Sequence, residues 1–268
     1  MFDDTINGDR FSDMCTFHWN DRHVRLNGLE NESGYVFCKT DYLPELFERI
    51  RNVNQKYILI THNSDHNIDE ERYSWKTDNV IHWFAQNVVI SRNDLTPIPI
   101  GLERPGVGGS GDVKNFLSVS QQKIPQQAKA YANFASGTNL TREPLKSRLR
   151  NTSWCSVIED RVPFTQYLQQ LCAHKWIISP PGNGSDCHRT WEALCMGKIP
   201  VCKDTVHNQF FSKIFPMILY SDESEITEDF LFTKTEKLKK LYHRYDSDTI
   251  NFEWWSGFIG FVRRQLLL

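Results

Sequence analysis

Residues 175–204 read KWIISPPGNGSDCHRTWEALCMGKIPVCKD. An apolar run, Lys175-Trp-Ile-Ile-Ser179, has the character of a buried strand. Pro180-Pro-Gly-Asn-Gly184 then forces a tight turn, and its two glycines let a ligand approach the backbone closely. A helix follows, expected to begin near Ser185 or Asp186, either of which can cap it. Strand, glycine-containing turn and helix aim backbone N–H groups at one point, which suits a phosphate. Arg189 lies in the first turn, where its fork can hold a diphosphate. Glu192, three residues on, shares its helix face and can accept hydrogen bonds from ribose hydroxyls. A plain turn followed by a solvated Arg–Glu pair accounts for the same residues by spacing alone.

Working outward, strand and helix signals alternate on both sides. Strands are expected at residues 35–38, 56–61, 80–85, 88–91, 129–135, 154–158, 198–202 and 216–220, and helices at 43–51, 113–122, 143–150, 164–174 and 189–196. Thr96-Pro-Ile-Pro-Ile-Gly101 reads as an extended edge segment, since its prolines cannot donate to a ladder. Residues 1–33 are polar and irregular, with few strand or helix signals. The breaker cluster Pro105-Gly-Val-Gly-Gly-Ser-Gly111 separates two similar halves. The pattern predicts an α/β chain with two Rossmann-like, doubly wound domains facing a cleft: residues 1–110, residues 111–250, and a terminal helix at 251–268 packing back on the first domain.

Composition narrows the class. The chain has 268 residues, 40% of them hydrophobic, which is enough apolar mass for packed cores. Lys plus Arg is 31 against 33 for Asp plus Glu, so no basic excess marks a nucleic-acid partner. No run approaches the ~20 apolar residues of a membrane span, and the opening Met1-Phe-Asp-Asp-Thr5 lacks the pattern of a signal peptide. Seven scattered Cys point to a reducing compartment. An Asn-x-Ser sequon at Asn183 would put a glycan in the proposed site of a secreted protein. Both observations favour a cytoplasmic setting.

The motif Ser-Pro-x-Gly-Asn-Gly-x-Asp-x-His-Arg-Thr-Trp-Glu-Ala-Leu followed by Gly-x-Ile-Pro-Val is carried here by Ser179, Pro180, Gly182, Asn183, Gly184, Asp186, His188, Arg189, Glu192 and residues 193–201. It resembles the C-terminal signature of exostosin-like glycosyltransferases, above all the short members found in large algal viruses and microbes. Thr61-His-Asn-Ser-Asp65, Trp83-Phe-Ala-Gln-Asn87 and Ile98-Pro-Ile-Gly-Leu102 also look like that family, so the resemblance spans roughly residues 55–205. It implies a GT-B-like fold with the donor held by the C-terminal domain. It also implies inversion at the anomeric carbon, no obligatory metal or other cofactor, a UDP-sugar donor (UDP-xylose is one candidate) and a glycan or glycoprotein acceptor.

Inverting transfer needs a base for the acceptor hydroxyl and positive charge for the leaving diphosphate. Asp65 is the first candidate base and His62 the second, both in the loop after the 56–61 strand; Glu103 is the third. Arg142, following the polar loop at 136–139, is a second candidate for the diphosphate beside Arg189. Two other classes stay open: a nucleotide- or sugar-binding protein without catalysis, and a metal-dependent hydrolase built on His62 and His66. The i, i+4 spacing of these histidines falls in a loop, away from the helix that zinc signatures use. Asp246-Ser-Asp248 resembles a metal-binding DxD, but sits in a polar stretch where a loop is expected.

Overall fold

The computed structural model describes residues 4–107, 110–242 and 247–266. Of the DxD stretch, Asp246 lies outside the described residues. The chain is an α/β protein built on two mostly parallel sheets. The first half runs α1 (Gly8–Asp13), β1 (Phe17–Trp19), β2 (Val24–Arg25), β3 (Gly34–Lys39), α2 (Leu43–Ile50), β4 (Tyr57–His62), α3 (Glu70–Ser74), β5 (Val80–Ala85) and β6 (Leu95–Pro97). The second runs α4 (Val113–Ser120), β7 (Gln127–Ala132), α5 (Arg142–Arg150), β8 (Cys155–Val157), α6 (Phe164–Ala173), β9 (His174–Ser179), α7 (His188–Cys195), β10 (Ile199–Lys203), α8 (Val206–Phe211), β11 (Ile218–Tyr220) and α9 (Glu228–Tyr242). The chain then enters α10 (Phe252–Leu266).

The C-terminal sheet is all parallel in the order β11-β10-β9-β7-β8. Counted from β7 this is 2-1-3-4-5, a doubly wound sheet whose direction reverses between β7 and β9. Side chains alternate between two cores. Tyr131 and Ile177 pack with α4, α6 and α7, whereas Ala130, Ala132, Trp176 and Ile178 pack with α5 and α9. Burial on both faces is why these strands read as continuous apolar runs.

The N-terminal sheet has the order β2-β1-β3-β4-β5-β6, with only β1 and β2 antiparallel. Both of its faces are covered, but its parallel strands follow one another in chain order. The doubly wound pattern expected of both halves therefore holds for the C-terminal sheet alone. Pro97 sits in the edge strand, where its missing N–H breaks no ladder. Residues 88–91 form no strand; Val88 makes an isolated bridge to Ile68 instead.

Residues 4–33 are more ordered than their polarity suggests. Asn7 caps α1 by accepting from Arg10 N–H, Phe11, Phe17 and Leu29 are buried, and β1 pairs with β3. The buried side chains come singly, so no periodic signal marks them. The helix α10 lies against the N-terminal sheet: Phe252 meets Phe11 at 5.3 Å and Phe258 meets Phe84 at 6.1 Å between ring centroids. Trp255 also reaches Phe211 of α8 at 5.8 Å, so one apolar cluster runs from sheet to sheet. No helix among the described residues is long and apolar enough to cross a membrane.

Trp255 is fully buried in that shared cluster. Trp255→Ala should cost about 3–5 kcal/mol, read as a lowered urea midpoint with a single cooperative transition.

Candidate functional site

The loops after β4, β6, β7, β8 and β9 all meet between the sheets and line a cavity of about 740 Å³, a size usual for small-molecule sites. The carboxyl ends of β7 and β9 form its C-terminal wall, at the point where the strand order reverses.

The turn after β9 is held rigidly from behind. Arg142 donates from Nε to Pro181 O (2.8 Å), from Nη2 to Pro180 O (3.0 Å), and from Nη1 to Ala135 O (3.0 Å) and Thr138 Oγ1 (2.7 Å). Its remaining donor faces Cys187 Sγ at 3.6 Å. The guanidinium is buried and its fork is spent on the loop, so Arg142 shapes the turn and has no donor to spare for a diphosphate. Asn139 adds a bond from Nδ2 to Gly182 O at 3.0 Å. A Cβ on Gly182 would stand 3.1 Å from Arg142 Nη2, and one on Gly184 only 2.6 Å from Asn87 Nδ2. A side chain at 184 would therefore force Asn87 to move, and one at 182 would press on the Arg142 fork.

Ser179 is buried behind the turn, its hydroxyl 2.9 Å from Thr190 Oγ1, and it does not line this cavity. Helix α7 begins later than its candidate caps. Its N-cap is Cys187, with no side-chain cap bond, because Asp186 turns inward. The Asp186 carboxylate accepts from Ile100 N (2.8 Å), Trp191 Nε1 (2.9 Å) and Cys187 N (2.8 Å). His207 Nδ1 accepts the Val88 N–H at 3.3 Å, which puts the ring proton on Nε2, 3.1 Å from Asp186 Oδ2. Burial works against the Asp186 charge, but His207 and these donors outweigh it and hold the carboxyl below its usual range.

Arg189 and Glu192 both line the cavity. Arg189 anchors Nε on Asn133 O at 2.9 Å, across the switch point, and its guanidinium lies over Phe134 at 5.7 Å. Its terminal nitrogens have no protein acceptor among the described residues. Arg161, on the loop after β8, is a second cation in this wall. The buried Glu192 carboxylate accepts from Tyr167 OH at 2.6 Å. Burial, and after it that carboxylate, keeps the phenol protonated, so Tyr167 is the donor. Val162 and Phe164 supply an apolar flank.

On the opposite wall stand the loops of the N-terminal sheet. Asp65 is exposed and accepts from Asn183 Nδ2 at 3.1 Å, joining the two walls. His62 does not reach the cavity as a free base. It is buried, Nε2 bonds Pro99 O at 3.1 Å and Nδ1 accepts Asn63 N–H at 2.8 Å. Burial pushes its pKa down to about 4. His66 turns to Arg72, 3.2 Å from Nδ1; both histidines border one smaller cavity, but their ring nitrogens bond different partners. No group of three or more His, Cys, Asp or Glu side chains among the described residues converges as a metal site would need. His188 opens α7 with Nδ1 on Gly101 O at 2.8 Å, and its Nε2 faces Glu103 Oε2 at 3.4 Å. This pairing joins a residue placed with the donor to one placed with the base.

Sequence reasoning missed Tyr167, Arg161 and His207, and it quoted Asn87 within a motif without giving it a role. Asn87 adopts φ 57°, which Asn tolerates better than most residues. Its Oδ1 accepts Asp186 N–H at 2.8 Å while its Nδ2 donates to Ser64 O at 3.0 Å. No local pattern announces these partners, since each lies tens of residues away.

The fold and site define an α/β protein with two mostly parallel sheets and a polar cleft at their carboxyl ends. No family model and no curated protein matches the chain.

Two outcomes test this geometry. Arg142→Ala should lower stability by at least about 2 kcal/mol with no ligand present, since buried acceptors lose their donors; Arg189→Ala should cost about 1 kcal/mol or less. Chemical denaturation of both variants separates the roles. Burial also depresses His82, to about 4, like His62. The unfolded rings titrate near 6.5, so between these values the unfolded chain binds more protons. Stability should be full above pH 6.5 and fall as the pH drops toward 4. His62→Gln should flatten that fall in urea midpoints taken at pH 7.5 and 5.0.

Proposed function

We propose that the chain is an inverting glycosyltransferase of exostosin-like type that moves a sugar from a UDP-sugar to a glycan hydroxyl, without an obligatory metal ion, in a GT-B-like arrangement. The observation that carries this reading is the Arg189–Glu192 wall at the switch point of the C-terminal sheet. Positive charge for a diphosphate and a buried carboxylate for a ribose stand one helical turn apart, facing the loops of a second sheet.

In this reading the diphosphate lies against Arg189, Arg161 and the N–H groups that open α7. These groups stabilise the charge that develops on the leaving oxygen. The ribose hydroxyls donate to Glu192, whose orientation Tyr167 fixes, and the base packs on the apolar flank of Val162 and Phe164. UDP-xylose is the first donor to try, following the family resemblance. The acceptor enters from the N-terminal side, as a glycan or the glycan of a glycoprotein.

The test is a thermal-shift panel with UDP, GDP, CDP and several UDP-sugars, with and without EDTA, on wild type and Arg189→Ala. Ligand at 100 times its Kd should stabilise the wild type by about 2.7 kcal/mol. UDP compounds should act with EDTA present, and Arg189→Ala should lose the response. A wild type that no nucleotide stabilises sinks the reading. UDP stabilisation without turnover of any UDP-sugar would leave a nucleotide-binding protein.

A further inference from the structure

Next to the main cavity lies a smaller one of about 410 Å³, and the two share Asp65, Ile100, Glu103 and His188 in their lining. The main cavity holds the cationic wall on the C-terminal side. The smaller one is lined by hydroxyl-bonding groups of the N-terminal half, among them Asp41, Asn63, Ser64 and Gln86. A group in the shared wall touches whatever occupies either cavity. We infer that His188 Nε2 is the atom that takes the proton of the acceptor hydroxyl, with Glu103 holding the resulting imidazolium. This inference rests on the transferase reading above.

The ring's proton is fixed by its surroundings. A carbonyl oxygen only accepts, so the 2.8 Å contact with Gly101 O places hydrogen on Nδ1 and leaves the neutral ring's lone pair on Nε2. Gly101 is itself pinned. It sits at φ +69°, a Cβ there would fall 2.1 Å from Ile6 O, and the next residue donates Leu102 N–H to Ile6 O at 2.8 Å. The carbonyl that orients His188 is therefore set by the N-terminal half, across the cleft from α7. Glu103 is oriented in turn, its Oε1 accepting Arg104 N–H at 2.8 Å while Oε2 faces the ring. Gly101 O orients the ring through Nδ1, and the Glu103 carboxylate stands beside the basic nitrogen, where it stabilises the positive charge that forms there. The side chains are 32% and 22% exposed, enough to be reached by a ligand.

His62 borders the smaller cavity, but both its ring nitrogens are bonded, to Pro99 O and the Asn63 N–H, and the exposed Asp65 has no neighbour that orients it beyond the Asn183 amide on one oxygen. In the step itself, the acceptor oxygen bonds to the anomeric carbon as its O–H proton passes to His188 Nε2. The bond from that carbon to the diphosphate oxygen breaks, and its electron pair leaves with UDP. The smaller cavity sets the carboxylates of Asp41, Asp65 and Glu103 beside the cations Lys39 and Arg104, a mixed polar lining that hydrogen-bonds sugar hydroxyls.

The experiment uses the whole chain as wild type, His188→Asn, His188→Ala and Glu103→Gln. Stabilisation by UDP is measured first. UDP release follows, from UDP-xylose, UDP-glucose, UDP-galactose and UDP-N-acetylglucosamine, with neutral methyl glycosides as acceptors. Asn can still donate to Gly101 O but cannot take a proton, so it guards against a folding defect. His188→Asn should keep the UDP shift and lose at least about a hundredfold in kcat. Added imidazole should restore part of the rate to His188→Ala, and Glu103→Gln should fall between the two. Retention of kcat within about threefold in His188→Asn overturns the inference while leaving the transferase reading intact. So does a loss in Asp65→Asn, assayed alongside these variants, that exceeds that of His188→Asn. A wild type that binds UDP but releases none from any donor removes the reaction, and the inference with it. A wild type with no UDP shift removes the donor site as well.

Discussion

The Asp186 carboxylate is buried between the sheets, where desolvation opposes its charge, and it remains ionised because donors from both halves converge on it. Ile100 N–H comes from the loop after β6 and Trp191 N–H from α7, and the His207 ring of α8, which accepts Val88 N–H from the first half, stands 3.1 Å from the carboxylate. Removing any one donor would leave part of a charge unpaired in a low-dielectric interior, which is costly. The turn after β9 therefore has one position relative to the N-terminal loops. Asn87 repeats the link one residue earlier, through the Asp186 N–H.

That constraint explains how labour is divided among the polar side chains of the motif. Asp186, Ser179 and the two glycines are spent on building the turn, and Arg142 clamps it from behind. The face of α7 that carries His188, Arg189 and Glu192 meets the cavity, together with Asn183 at the rim of the turn. Phe134 supports both arginines, with Arg142 at 5.6 Å and Arg189 at 5.7 Å from its ring, so the structural and the ligand-facing cation share one apolar platform. A rigid rear and an unspent front are what preorganised electrostatics requires.

The apolar seam reinforces the same geometry from below. Phe211, Trp191 and Trp255 pack edge to face where the sheets meet, with Trp191 and Phe211 at 5.0 Å. Trp191 serves twice, since its indole N–H ends on Asp186 while its ring fills the seam. Helix α10 closes this seam from the end of the chain, and its first residue receives support from Asp4 O through Phe252 N–H at 2.8 Å. The two ends of the described chain thus brace the interface that orients the cleft.

The sequence by itself determined the alternation of strands and helices, the strand–turn–helix after Ser179, and the placing of Arg189 and Glu192 on one helix face. Those features follow from local periodicity, proline and glycine stereochemistry, and helical spacing. It did not determine which polar residues of the motif would face a ligand. His62 and Asp65, three residues apart, differ completely: one is locked to Pro99 in the core and the other lies at the rim. Nor could it pair His188 with Glu103, residues from different halves that meet only because Gly101 abuts Ile6 and Asp186 holds Ile100. The strand order that makes the C-terminal sheet doubly wound and the N-terminal one sequential is likewise a matter of long-range pairing. Local sequence sets what each segment can be. Which groups lose their water, and which keep a free lone pair, is decided by partners tens of residues away.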